Sequence, residues 1–227
     1  MQAADPAPTM YQATPAETSV LRFGKTTRWF HWSFALSFLC LAATGALLAL
    51  RRPLGSSPET GALLLAVHQA AAVCLVVLPA WVALSGRTRE LAGDLRELLR
   101  WSRDDLRWLA LQPLSFVRTV ALPPAGKLNA GQKLNGIAMA LLSAALLASG
   151  VWLWREPGAL LPLAVHVACF LAWIPLFVGH LALALVLPGT RPALRGMVLG
   201  RVRRDWAAHH HPAWLGELGA RGSRDVE

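Results

Sequence analysis

Charge is what this 227-residue chain has least of: 15% of its residues are Lys, Arg, Asp or Glu, against 55% that are hydrophobic. That balance excludes an ordinary soluble fold. The scarcity is concentrated. No Lys, Arg, Asp or Glu lies between Arg28 and Arg51, Glu59 and Arg87, Lys133 and Arg155, or Glu156 and Arg191. Each interval holds the ~20 apolar residues that cross a bilayer core. Cysteine is scarce too. Cys40, Cys74 and Cys169 all fall in apolar stretches, with no CxxC or CxxCH spacing, which argues against c-type haem, a zinc knuckle or a disulfide framework. The first twenty residues carry Pro6, Pro8 and Pro15 but neither a positive n-region nor an apolar h-region, so a cleavable signal peptide is not expected. No internal repeat stands out.

What is present divides the chain into three. The expectation is an all-α integral membrane four-helix bundle over residues 27–189, with helices at about 27–50, 61–85, 134–154 and 160–187. Residues 1–26 precede it as a cytoplasmic N-terminal segment, and 190–227 follow as a basic cytoplasmic tail that becomes disordered from Gly219. The net charge of +9 could suggest nucleic acid, but its distribution points elsewhere. Of 22 Lys and Arg, three precede the first helix, nine lie from Arg87 to Lys133, and seven lie from Arg191 onward. By the positive-inside rule both termini and the long middle loop are cytoplasmic. Within that loop, Arg87 to Leu111 interleaves leucines with arginines and reads as an amphipathic helix in the inner interface.

Polar side chains are rare in the spans, and four of them are histidines. His166 and His180 lie fourteen residues apart in the fourth span, ~21 Å along a helix and ~40° short of whole turns, so both occupy one face near opposite sides of the membrane. Counted from the outer loops, His68 and His166 share a depth of ~13 to 15 Å; His180 and His31 lie ~10 Å and ~6 Å from the cytoplasmic face. One intramembrane imidazole is ordinarily a packing residue, but four that pair by depth across three helices fit the axial ligands of two stacked b haems. Filling both axial positions favours electron transfer over oxygen chemistry. Gly45 and Gly150, near the outer level, give room for a ring or for close helix packing.

The stretch from Gly126 to Lys133 reads GKLNAGQK. Asn129 with Gln132 forms a capping box for the third helix, with Lys133 at the inner interface. The same Asn129, the backbone at Gly131, and Gln132 could bind a quinone beside the inner pair, and the two readings are compatible. His209 to His211 lack helical ligand spacing and a neighbouring carboxylate, so a solvated tail is expected there rather than a metal site.

RFGKTTRWFHW at the start of the first span, His68, GKLNAGQK, the His166 to His180 spacing and the closing WAAHHHPAW together resemble the cytochrome b (gamma) subunits of membrane-bound formate dehydrogenases. These belong to the wider group of bacterial di-haem b561-type cytochromes. The resemblance implies that His68 and His166 ligate an outer haem b and His31 and His180 an inner one. It also implies that Asn129 and Gly131 line a quinone site for menaquinone or ubiquinone. The implied partners are an iron-sulfur beta subunit and a catalytic alpha subunit, in the bacterial cytoplasmic membrane, with a homo-oligomer of the whole complex compatible. The chain itself would be an electron-transfer subunit. Rival readings are the same anchor serving a nickel-iron hydrogenase or a thiosulfate or polysulfide reductase, a stand-alone quinone oxidoreductase, or a non-redox metal transporter or scaffold. The last is poorly served, because no intramembrane Asp or Glu accompanies the histidines.

Overall fold

The computed structural model describes residues 18–224 apart from 52 and 54. The expectations for residues 1–17, for part of the first outer turn and for the last three residues fall outside these. Four helices are long and apolar enough to cross a membrane. They are α1 (Lys25–Leu50) and α2 (Pro58–Ser85), then, after two short helices α3 (Thr88–Leu99) and α4 (Arg103–Leu111), α5 (Ala130–Arg155) and α6 (Leu160–Leu181). The chain is thus an all-α, multi-pass membrane bundle.

Each span starts where the local chemistry allows it. Ser57 caps α2 by accepting from the Thr60 N–H, and Pro58 follows at the first position, where its missing N–H costs nothing. Asn129 and Gln132 close a reciprocal capping box on α5. The third span therefore begins at Ala130, four residues before the expected Leu134. α6 ends earlier than expected, and Ala182–Val186 continues it as a π-turn directly after Leu181.

Two antiparallel hairpins result, α1 against α2 and α5 against α6. They meet where Phe38 of α1 stacks on Trp173 of α6 with ring centroids 3.8 Å apart, joined by Leu75 and Leu146 in one buried cluster. Elsewhere the interior is thinly filled by protein. Within the most apolar stretch of each span only 17% of α1, α2 and α5 and 6% of α6 is buried. Most of that apolar surface is left for lipid or for a group between the hairpins.

The end of the bundle where α1 starts and α6 finishes is more elaborate than a charged loop and a loose tail. Ser102 splits the expected single amphipathic segment into α3 and α4 by capping α4 through a box with Asp105. α3 is seated on the bundle by its buried Leu91. The tail forms α7 (Ala193–Val198), strand β2 (Arg201–Arg203), α8 (Arg204–His210) and α9 (Pro212–Arg224), so helix continues past Gly219 where disorder was expected. β2 pairs antiparallel with β1 (Ser19–Leu21), tying the segment before α1 to the segment after α6. Gly200 turns the chain into β2 at φ +85, with its carbonyl accepting from the N–H groups of Arg22 and Phe23. A side chain there would be strained and would meet the Phe23 carbonyl oxygen at 2.8 Å.

Lys133, in the first turn of α5, is buried, 6% exposed. Its ammonium donates to both oxygens of Asp105 at 2.9 and 3.0 Å and to the Arg100 carbonyl at 2.9 Å, which uses all three of its hydrogens. Burial alone would raise the Asp105 carboxyl, but hydrogen bonds from Lys133 and Ser102 outweigh it and hold its pKa below the ordinary value. The pair's contribution is therefore complete at neutral pH and fades only as pH falls through that depressed pKa. Asp105→Ala, leaving the ammonium buried without its partner, is expected to cost ~3 kcal/mol. Thermal unfolding in detergent checks this: Asp105→Leu with Lys133→Met should recover most of the loss, and equal losses in single and double variants would contradict it.

Candidate functional site

The four intramembrane histidines come together as two couples. His68 on α2 faces His166 on α6, and His31 on α1 faces His180 on α6, with ring centroids 6.2 Å apart in both cases. The ring planes meet at 68° in the first couple and 37° in the second. Two imidazoles each bonded through a nitrogen ~2.0 Å from one metal ion have centroids roughly 6 Å apart. The looser depth match expected for His31 closes because α1 begins at Lys25. His31 is then six residues into the helix, ~9 Å in, comparable with His180. Trp173 lies seven residues from each of the α6 histidines. The run Phe34, Phe38, Trp173, Phe177, stacked at 6.0, 3.8 and 4.7 Å, fills the bundle between the two levels.

At the His68–His166 couple each histidine has a hydroxyl beside it, which the sequence reading missed. Thr44 Oγ1 lies 2.9 Å from His68 Nδ1, and Ser149 Oγ lies 3.0 Å from His166 Nδ1. The neighbouring glycines serve the same rings. A Cβ on Gly45 would meet His68 Cε1 at 3.3 Å, and one on Gly150 would meet His166 Cε1 at 3.3 Å. The room these glycines leave therefore lies directly against the imidazoles. The shared signal is a hydroxyl residue followed by glycine near the C-terminal end of α1 and of α5. It is visible in the sequence as Thr44-Gly45 and Ser149-Gly150, but neither pair identifies its histidine without the fold. At the other couple, His31 Nδ1 is buried with no hydrogen-bond partner.

The RFGKTTRWFHW segment holds His31 in place, and its polar residues have separate attachments. Thr26 accepts from the Arg87 N–H at the end of α2, and Thr27 donates to Asp94 of α3 at 2.6 Å. Arg28 and Trp32 donate to the carbonyls of Val198 and Met197 at 2.7 and 3.1 Å, which docks α7 beside His31.

The GKLNAGQK loop is clasped on three sides. Both bonds of its capping box use side-chain oxygens, so the amide NH2 groups of Asn129 and Gln132 stay outside the cap. Gly131 packs on α4, where a Cβ would touch the Trp108 ring at 3.3 Å. Lys127 pairs with Asp94, and its carbonyl accepts from Arg22 at 2.9 Å. From the tail, His211 accepts the Arg22 guanidinium at Nε2, 3.0 Å away, and donates from Nδ1 to the Gly126 carbonyl at 2.8 Å. Of the three consecutive histidines expected to be solvated, His209 is exposed, but His211 is 1% exposed and structural, because the chain-end strand pairing carries it into the loop. Among the described residues no cluster of three or more His, Cys, Asp or Glu could hold a metal ion.

A four-helix membrane bundle with two stacked histidine couples defines the class of membrane b-type cytochromes. The family described as prokaryotic cytochrome b561 matches residues 22–200, and the chain belongs to it: it is a membrane cytochrome b of electron transfer, a family that binds haem b. The chain is also similar to formate dehydrogenase cytochrome b556 subunits. It is 33% identical over 101 residues to the nitrate-inducible Fdn subunit of Escherichia coli K12, covering 41% of this chain and 45% of that protein. Over 125 residues it is 33% identical to the Fdo subunit of the same organism, covering 52% and 57%. Over 135 residues it is 28% identical to the Haemophilus influenzae subunit, covering 53% and 55%. The chain spans about half the length of the curated relatives it matches.

Burial, and after it the adjacent Arg22 charge, pushes the His211 pKa down to about 3. With the folded value below the ordinary ~6.5, the clasp is fully stable above pH 6.5 and weakens as pH falls from there toward 3. Between pH 6.5 and pH 5 the loss is expected to be ~2 kcal/mol. Limited proteolysis at α8 and α9 should accelerate over that interval in the parent and depend less on pH in His211→Ala; equal protection at pH 7.5 and pH 5 in the parent would contradict it.

Proposed function

We propose that this chain is the di-haem cytochrome b subunit of a membrane formate dehydrogenase complex. In this reading it passes electrons from an iron-sulfur partner at the outer face to quinone near the inner face. His68 and His166 hold the outer haem b, and His31 and His180 the inner one. The observation that carries the reading is the repetition of one spacing, 6.2 Å between imidazole centroids, at two levels of a predominantly apolar bundle.

The residues suit the group. Imidazoles on facing helices supply two nitrogen donors from opposite sides of a ring plane. The thinly packed interior leaves space for a macrocycle. Haem b supplies a one-electron iron couple at each level. The protein's part is to ligate, orient and insulate. His68 and His166 are held by their hydroxyl neighbours, the Phe38–Trp173 stack seals the space between the levels, and α7 closes over His31.

For quinone, the NH2 groups of Asn129 and Gln132 supply donors for a carbonyl oxygen, and Gly131 lets the Trp108 ring pack close beside them. The capping oxygens keep both amides oriented. This site and the termini are assigned to the cytoplasmic face of a bacterial inner membrane on the strength of the basic loop and tail. Residues 27–189 form the haem-bearing membrane domain, followed from residue 190 by a basic tail that folds against the quinone loop. Catalytic and iron-sulfur subunits are inferred from the names of the relatives, and formate itself is handled by the catalytic subunit. Co-purification of the native complex tests that assignment, since a nickel-iron large subunit in its place would move the chain to the hydrogenase branch.

His68→Ala and His166→Ala are expected to lose the same haem band in reduced-minus-oxidised spectra of the purified protein, and His31→Ala and His180→Ala the other; loss of different bands within one couple would refute the pairing. For the quinone site, Asn129→Ser retains a capping oxygen but removes the amide donor. It should keep both haems and slow quinone reduction by about tenfold, a loss of one donor worth ~1.4 kcal/mol. Parent-like turnover would leave Asn129 a cap alone.

A further inference from the structure

The two couples differ in what touches the far side of their rings. At the outer couple the arrangement is duplicated on two hairpins. Thr44 Oγ1 lies 2.7 Å from the Cys40 carbonyl, and Ser149 Oγ lies 2.7 Å from the Ala145 carbonyl, each one turn back in its own helix. A hydroxyl has one hydrogen, and in each case that carbonyl, which can only accept, takes it. What remains toward the imidazole is a lone pair. His68 and His166 must therefore bring the hydrogen themselves, as Nδ1–H, which leaves each Nε2 with its lone pair free. The glycine after each hydroxyl keeps the ring edge clear at 3.3 Å. The Leu41 and Leu146 carbonyls accept from the same rings, so hydroxyl, carbonyl and glycine together set tautomer and tilt. At the inner couple, buried His31 Nδ1 has no such acceptor.

We propose that Thr44 and Ser149 are positioning residues that fix His68 and His166 as Nε2 donors and hold the outer b centre at a lower reduction potential than the inner one. This rests on the haem reading above and extends it. An acceptor on Nδ1–H draws the proton outward and makes the opposite nitrogen more basic. A more basic axial nitrogen stabilises the ferric over the ferrous state. Two such contacts act on the outer couple, whereas at least one imidazole of the inner couple has none. With haem held at both levels, that difference would make transfer of one electron from the His68–His166 level to the His31–His180 level favourable. No proton changes hands. The device thus gives the bundle a direction through two hydroxyls that touch no substrate.

The test is a spectroelectrochemical titration of the haem-loaded chain in detergent. Two one-electron waves are expected, and the lower should be the one that disappears in His68→Ala. Thr44→Val and Ser149→Ala should each raise that wave by a roughly fivefold change in the ferrous to ferric ratio, ~40 mV at 59 mV per tenfold, and leave the upper wave in place. Thr44→Ser and Ser149→Thr retain a hydroxyl and should retain the parent potential, a rescue that a purely packing role would not give. An unmoved lower wave in both hydroxyl-free variants overturns the proposal, as does a parent in which the outer wave is the higher. If His68→Ala removes neither wave alone, the haem reading fails and this inference fails with it.

Discussion

An imidazole inside a bilayer core must find partners for its ring nitrogens, because no water is there to serve them. That constraint organises the molecule. Four histidines on three helices meet as two couples at 6.2 Å. The hairpins meet chiefly at Phe38 on Trp173.

The terminal end of the bundle answers a different electrostatic problem. Arg22, Lys127 and Lys133 are drawn into low-exposure positions, and each is met by a carboxylate, carbonyl or neutral imidazole. Burial lowers Arg22 to about 10, partly offset by the Asp94 charge, so it stays a cation at neutral pH. The result is a collar in which β1, α8, α9 and the loop before α5 are bonded or packed against one another. Such bracing suits a loop whose proposed work is to present two amide groups.

Much of this was legible in the sequence, for identifiable reasons. Runs without charge mark spans because every charge in lipid is costly, so four helices could be read directly. Histidine couples could be read because helical rise converts spacing into depth. Asn129 with Gln132 announced its cap through a local pattern. What stayed hidden depends on contacts between distant segments. His211 reaches Arg22 across 189 positions, and three neighbouring histidines in a polar tail look solvated until β1 pairs with β2. Thr44 and Ser149 were silent because a hydroxyl in an apolar helix ordinarily bonds its own preceding turn. These two do so as well, and only the fold reveals the second partner. Lys133 was placed at the interface because charge near a helix end usually is; α4, separated from it by a long loop, covers it.

The most direct test of the account is the haem content of the folded chain, expressed with ample porphyrin and measured as pyridine haemochrome against polypeptide concentration. Two b haems per chain are expected, one for each histidine couple. A single haem would contradict the two-level arrangement, and a folded, colourless protein would contradict the account as a whole.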